Sequence, residues 1–245
     1  MDVGTAKPTS QEQSGVRHHL IDICTIDKPY SAAEFKRATD RVIKDIQKRG
    51  KLPFLVGGSG MYIDAVLYDF KFRNEETTVT IQALKNKSLS ELEGIAQQKY
   101  PQDYFYIDQK NRRRVEQLII KGPSKDDDIK NANIKSLVLG VALNKALLKQ
   151  NIATRTNYML NNNLVQETRQ LRKKYGDTDI LLHTTGYAQV LKYLDNQISK
   201  DHLAQSIVDA TWQLSRKQMT WFKRNKHIQW ISNMAEAEVY IKKYI

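Results

Sequence analysis

The chain has 245 residues, of which 40% are apolar and 27% charged, and its formal net charge is +12. Such a composition predicts a soluble globular protein; no run of about 18 apolar residues is present to cross a bilayer, and no basic-then-apolar leader opens the chain. The single cysteine, Cys24, excludes an internal disulfide and a zinc site built on cysteine pairs, and fits a cytoplasmic protein.

In chain order, the first third has an α/β rhythm. HHLIDIC (18–24) reads as a short strand. A helix follows, with Ser31 as N-cap and Glu34 three residues on as a capping box; Phe35, Ala38, Val42, Ile43 and Ile46 recur at helical spacing up to Gly50. KLPFLVGG (51–58) is a continuous apolar run of the kind buried on both faces of a sheet, and GGSG turns into a helix over 61–67. Together these predict a crossover unit of a parallel sheet.

The polar stretch 70–106 predicts a small helical insertion, with one helix from a Ser88 cap through Glu91 to Tyr100. Asp108 is expected to cap the helix carrying QKNRRRVEQLII. The acidic loop SKDDDIKNAN then leads to a resumed buried strand, IKSLVLGVAL. Helices are predicted over 145–160, 164–175, 186–193 and 199–223, followed by a short strand, HIQWI, and a terminal amphipathic helix. The domain organisation so read is an α/β core over 1–69, a reduced helical insertion over 70–106, and the resumed core with C-terminal helices over 107–245.

The positive charge is concentrated. Between Thr211 and Trp230 stand Arg216, Lys217, Lys223, Arg224 and Lys226 with no acid among them, interleaved with Trp212, Trp221, Phe222 and Trp230. Cations interleaved with aromatics favour a nucleic-acid surface over scattered solubilising charge. On the predicted helix 199–223, Leu203, Ile207, Ala210, Leu214 and Trp221 form the expected buried stripe, while Gln213, Arg216, Thr220 and Lys223 share another face.

GGSG after an apolar strand can let backbone N–H groups approach an anion, or can serve geometry alone. A Walker A loop would be a much stronger signal, but GGSGMYID lacks its lysine and GVALNKAL its second glycine. His18 and His19, adjacent on a strand, point to opposite faces and do not easily share a metal. The NRRR cluster, Asn111 to Arg114, could hold phosphates or form a solvated face. Arg155, in IATRTNYML, is placed to reach a phosphate or carboxylate.

Taken together, MDVGTAKP, RHHLIDI, PYSAAEFKRATDRVIKDIQKRGKLPFLVGGSGMYIDAVL, IDQKNRRRV, LVLGVAL, IATRTNYML, TTGYAQVLKYLDNQIS and SRKQMTWFKR resemble, in order, the tRNA dimethylallyltransferase (tRNA isopentenyltransferase) family. The resemblance implies a P-loop NTPase-like parallel-sheet core with a small helical insertion and a helical C-terminal part. It implies transfer of a dimethylallyl group from dimethylallyl diphosphate to the exocyclic amine of the adenine 3′ to the tRNA anticodon, with Mg²⁺ as cofactor. The expected partners are a tRNA anticodon stem-loop and dimethylallyl diphosphate, with no membrane, and the chain is expected to be a monomer.

By the same resemblance, Arg155 contacts the diphosphate; Gly57, Gly58, Ser59, Gly60 and Tyr62 line the substrate channel, with Thr5 and Lys7 also on the substrate. Arg113, Arg114, Gln117, Arg216, Gln218, Thr220, Trp221 and Arg224 face the tRNA. Gln117, Lys145 and Trp212 stand where the family has arginine. The family's phosphate loop and its DSxQVY segment, which carries the proposed catalytic aspartate, precede MDxGTAKP. The expectation is therefore an enzyme body whose catalysis depends on that segment, with a truncated reading frame favoured over true loss. The alternatives are a noncatalytic tRNA-binding relative and, by fold class, an ATP-binding kinase or NTPase.

Overall fold

Ser31 starts the first helix by a local device: its hydroxyl accepts the Glu34 N–H (3.2 Å), while the Glu34 carboxylate takes the Ser31 N–H (2.8 Å). This computed structural model describes residues 1–28, 30–70, 72, 83–122 and 135–245. The chain forms two compact units, one made of Met1–Val66 with Lys135–Ile245 and the other of Leu67–Ile134.

In the first unit, α1 (Ala32–Lys48) is followed by α2 (Gly60–Leu67). They meet where the Phe35 and Tyr62 rings pack at 5.2 Å, and the Tyr62 hydroxyl donates to the Tyr30 carbonyl (2.9 Å). In the second unit, α3 (Leu89–Lys99) carries the Ser88–Glu91 capping box expected for it, and α4 (Pro101–Phe105) begins at its proline. The next helix, α5 (Arg112–Lys121), is capped by Asn111, whose side-chain oxygen accepts from the Arg114 N–H, rather than by Asp108. Asp108 instead accepts the Asn111 N–H in the preceding turn. Leu84, Leu92, Ala96, Tyr104, Val115, Leu118 and Ile119 form this unit's core. Because α5 packs on α3, the unit extends well past the 70–106 stretch that the sequence suggests. The acidic loop 124–133 lies outside the described residues.

Back in the first unit, β1 (Leu139–Val141) leads to α6 (Lys145–Asn161), α7 (Leu164–Tyr175), α8 (Asp179–His183), α9 (Tyr187–Leu194) and α10 (Lys200–Phe222), then β2 (Gln229–Ile231) and α11 (Met234–Tyr244). β1 and β2 pair in parallel with Gly140 opposite Trp230. Glycine is needed there, since a Cβ would come within 2.7 Å of the Trp230 ring. The core of this unit is Met159, Leu164, Leu181, Tyr187, Val190, Leu191, Leu203 and Ile207.

The architecture is thus mixed and mainly helical with a small parallel sheet. Two expected strands are corrected. Neither 18–24 nor 51–57 joins a ladder; His18 is exposed and His19 partly buried. Phe54 and Val56 are 68% and 90% exposed, so this run is not buried on both faces. A strand is held by its neighbours' backbone groups, and among the described residues β1–β2 is the only ladder. Among the described residues, no helix is long and apolar enough to cross a membrane.

Candidate nucleic-acid interface

The glycine turn and α10 come together within the first unit. A Cβ on Gly58 would stand 2.3 Å from Gln218 Nε2, and one on Gly60 only 2.1 Å from Trp221 Cδ1. The absence of side chains at these positions lets α10 press its Gln218–Trp221 face directly onto the turn. Gly57 is less demanding, because its Cβ would meet only Ile63 Cδ1 at 3.9 Å. Ser59 anchors the start of α2 through its carbonyl, which accepts the Tyr62 and Ile63 N–H groups.

Trp221 is fixed from the other side. Its indole Nε1–H donates to Asp64 Oδ2 at 2.7 Å, joining α10 to α2. Half-burial of the Asp64 carboxyl pushes its pKa up from the usual aspartate range, and the indole N–H opposes that shift. The Arg224 guanidinium stands 5.4 Å from the Trp221 ring centroid. Beside this contact is an open cavity of about 370 Å³ lined by Gln213, Arg216, Lys217, Thr220, Trp221 and Arg224. Its walls bring cations and an indole together without an acid, and Arg216, Lys217 and Arg224 form no ion pair among the described residues. A concave, cationic surface with an aromatic face suits a nucleic acid or another polyanion.

The buried stripe read for α10 holds only in its first half: Leu203 and Ile207 are buried, but Leu214 is 43% exposed and Trp221 forms a cavity wall. Trp212 lies under the Lys149 ammonium, 5.1 Å from the ring centroid, where α6 packs on α10.

Other expected site residues sit elsewhere. Arg155 is exposed on α6, whose inward face is Ile152, Thr156 and Met159. Thr5 donates its hydroxyl to the Met1 and Asp2 carbonyls (3.0 and 3.1 Å), and Lys7 bridges Asp2 and Asp22. That turn is moored by Glu167, which accepts the N–H groups of Asp2, Val3 and Gly4, and by the Tyr187 hydroxyl, which accepts the Gly4 N–H at 3.1 Å. Burial pushes the Tyr187 pKa strongly up, so the phenol stays protonated. Arg113, Arg114 and Gln117 are exposed on α5 in the second unit. The NRRR cluster is divided there: Arg112 turns inward, bonding Glu116 and the Leu84 and Lys87 carbonyls.

Asp64 and Glu167 are the residues that sequence reasoning missed. Asp64 left one signal, a lone carboxylate in the otherwise apolar helix GMYIDAVL; Glu167, in a charged amphipathic helix, left none.

The family model for IPP transferase matches residues 1–225. The tRNA dimethylallyltransferase of Staphylococcus saprophyticus is 31% identical over 94% of this chain and 78% of its own length. Among solved structures, the tRNA delta(2)-isopentenylpyrophosphate transferase of Staphylococcus epidermidis aligns with a TM-score of 0.71 at 26% identity, over 100% of this chain and 87% of that one. The full-length tRNA isopentenylpyrophosphate transferase of Bacillus halodurans has the same TM-score at 25% identity, over 100% and 82%. With a family model covering nearly all of its length and a relative of that similarity, the chain belongs to the IPP transferase family, whose curated members matched here are tRNA dimethylallyltransferases.

Proposed function

We propose that this chain takes part in dimethylallyl transfer from dimethylallyl diphosphate to the exocyclic amine of the adenine 3′ to a tRNA anticodon. The observation that carries the reading is the joined glycine turn and α10: Gly58 and Gly60 against Gln218 and Trp221, beside a cavity walled by Arg216, Lys217 and Arg224. In the reaction an N–C bond forms at the allylic carbon, the allylic C–O bond breaks, diphosphate leaves and the amine loses one proton. An exocyclic adenine amine is a weak nucleophile, so the leaving diphosphate needs cationic stabilisation and the adenine must leave its stack.

In this reading Arg155, Thr5, Lys7 and the 57–60 turn with Tyr62 serve the diphosphate donor. Arg216, Gln218, Thr220, Trp221 and Arg224, with Arg113, Arg114 and Gln117, serve the RNA. The parallel pairing of β1 and β2 supports a P-loop NTPase-like core, and a tRNA substrate fits the cytoplasm. Among the described residues no three His, Cys, Asp or Glu side chains are arranged to hold a metal. Mg²⁺ is commonly held by one or two carboxylates together with substrate phosphates, and in this reading it would arrive with the diphosphate.

The test is direct. With the family's phosphate loop and DSxQVY segment joined ahead of Met1, the protein, dimethylallyl diphosphate, Mg²⁺ and an anticodon stem-loop with adenine at that position should yield an RNA heavier by one dimethylallyl group, with release of diphosphate. A folded protein that binds the stem-loop and transfers nothing would support the second reading, a noncatalytic tRNA binder. That reading is favoured by one observation: Asp64, the acid beside this cavity, is already committed to the Trp221 indole.

A further inference from the structure

We infer that Asp64 is a positioning residue: it holds the Trp221 indole as a platform on which an unpaired nucleobase stacks when RNA enters the α10 cavity. The inference rests on the RNA-directed reading above and names the chemistry of that site more closely. Three constraints act on the indole. Its N–H is spent on Asp64 Oδ2 at 2.7 Å, across 157 positions of chain. Its Cδ1–Nε1 edge lies against the Gly60 backbone, where even a methyl group would not fit. The Arg224 guanidinium sits over the ring at 5.4 Å.

A tryptophan bonded and packed along its pyrrole edge resists swinging its ring into another rotamer, so the cavity is offered a fixed aromatic wall. Preorganisation of that kind lowers the ordering cost of binding. A carboxylate acceptor serves better than a neutral one, because charge-assisted hydrogen bonds are shorter and stronger. It also accounts for an acid on an otherwise apolar helix: Ala65 and Val66, its neighbours on α2, are buried, and no cation is paired with Asp64 among the described residues. The remaining walls fit a nucleotide. Arg216, Lys217 and Arg224 supply charge for a phosphate, and Gln213 and Thr220 supply polar edges. The cavity volume lies at the lower end of the range for small-ligand sites, about 300–1,000 Å³.

The experiment uses the full chain with Trp212→Phe and Trp230→Phe, so that Trp221 is the sole indole, and an anticodon stem-loop RNA as probe. Binding should quench Trp221 emission. Asp64→Ala should weaken binding about tenfold, the scale expected when a hydrogen bond to a charged group is lost, and should raise the accessibility of Trp221 to acrylamide. Asp64→Asn, which keeps an acceptor oxygen, should stay within about twofold of the parent. In a Trp221→Ala background, Asp64→Ala should have no further effect.

Unchanged binding by Asp64→Ala, or a loss that persists undiminished in Trp221→Ala, would overturn the assignment. Should Asp64→Ala not fold, Trp221→Phe removes the same hydrogen bond while keeping a ring, and must weaken binding comparably. The two readings fail separately. In the protein carrying the phosphate loop and DSxQVY segment, a bound complex with quenched Trp221 but no transfer sinks the prenyl-transfer reading alone, whereas transfer by a complex with unquenched Trp221 sinks the platform alone.

Discussion

Alanine substitutions along the glycine turn should separate into three outcomes. At Gly60, the added methyl would stand 2.1 Å from Trp221 Cδ1 and 2.4 Å from Nε1, about 1.3 Å short of ordinary contact with the nearer atom. The obstacle is a ring pinned by Asp64, so relief requires moving the indole by roughly that distance. Such a move stretches the 2.7 Å bond to Asp64 beyond hydrogen-bonding range. Overpacking costs about 1–3 kcal/mol and a lost bond to a charged group about 1.5–3 kcal/mol; either relaxation leaves Gly60→Ala roughly 2 kcal/mol less stable. At Gly58 the methyl meets the Gln218 amide at 2.3 Å, the far end of a flexible side chain that can swing away, so the cost should stay below about 1 kcal/mol. At Gly57 the nearest atom is 3.9 Å away, and the change should fall within about 0.5 kcal/mol. Urea unfolding followed by tryptophan emission measures all three. Equal midpoints for Gly57→Ala and Gly60→Ala would refute the claim that the turn exists to admit Trp221.

Gly94 gives the opposite sign: in the middle of α3 its Cβ would meet nothing within 4 Å, so Gly94→Ala should stabilise the second unit by about 0.8–1 kcal/mol in a denaturant titration. Glu34, Glu91 and Glu236 have pKa values lowered chiefly by accepting the backbone N–H groups of Ser31, Ser88 and Ser232. Their contribution is fully present above the ordinary glutamate value of 4.5 and is lost as the pH falls through the lower folded values, so helicity followed by circular dichroism should decline over that acid range. Ser31→Ala, which removes one cap, should cost about 1 kcal/mol and weaken the α1 share of that response. Arg216→Ala should lower stem-loop affinity uniformly across loop sequences and reduce the slope of log affinity against log salt by about 0.7–1, read from binding isotherms at several salt concentrations.

What the sequence disclosed depended on how local the cause was. The boxes at Ser31 and Ser88 are made within four residues, and both stand as read. Helix α10 was legible to within a residue at each end, because its apolar spacing and its serine start are carried by the segment itself. The strands at 18–24 and 51–57 were misjudged because apolar content shows that a segment could be buried, whereas a ladder needs a partner that the segment does not encode. The NRRR run looked uniform, yet Arg112 is drawn inward by carbonyls some 25 residues earlier, and no local pattern announces that. Asp64 was missed for the same reason: its role exists only once Trp221 arrives from the far end of the chain.

The GGSG turn had two readings, an anion cradle or a device of geometry, and α10 bears on the choice. The volume vacated at Gly58 and Gly60 is taken by Gln218 and Trp221, side chains of this same protein. The turn contributes no lysine, and the cations at this place come from the helix. Gln213, Arg216, Lys217 and Thr220 recur at spacings of three and four on one side of α10, as side chains sharing a helix face do, and Arg224 follows in the turn just past its end. Gln218 and Trp221, three apart, form the adjoining side that meets the turn, and Trp221 belongs to both. Rotating α10 by one residue, about 100°, would carry Trp221 off Gly60 and the arginines off the cavity together. The glycines therefore set the register of the helix, and through it the position of every cation that meets the ligand.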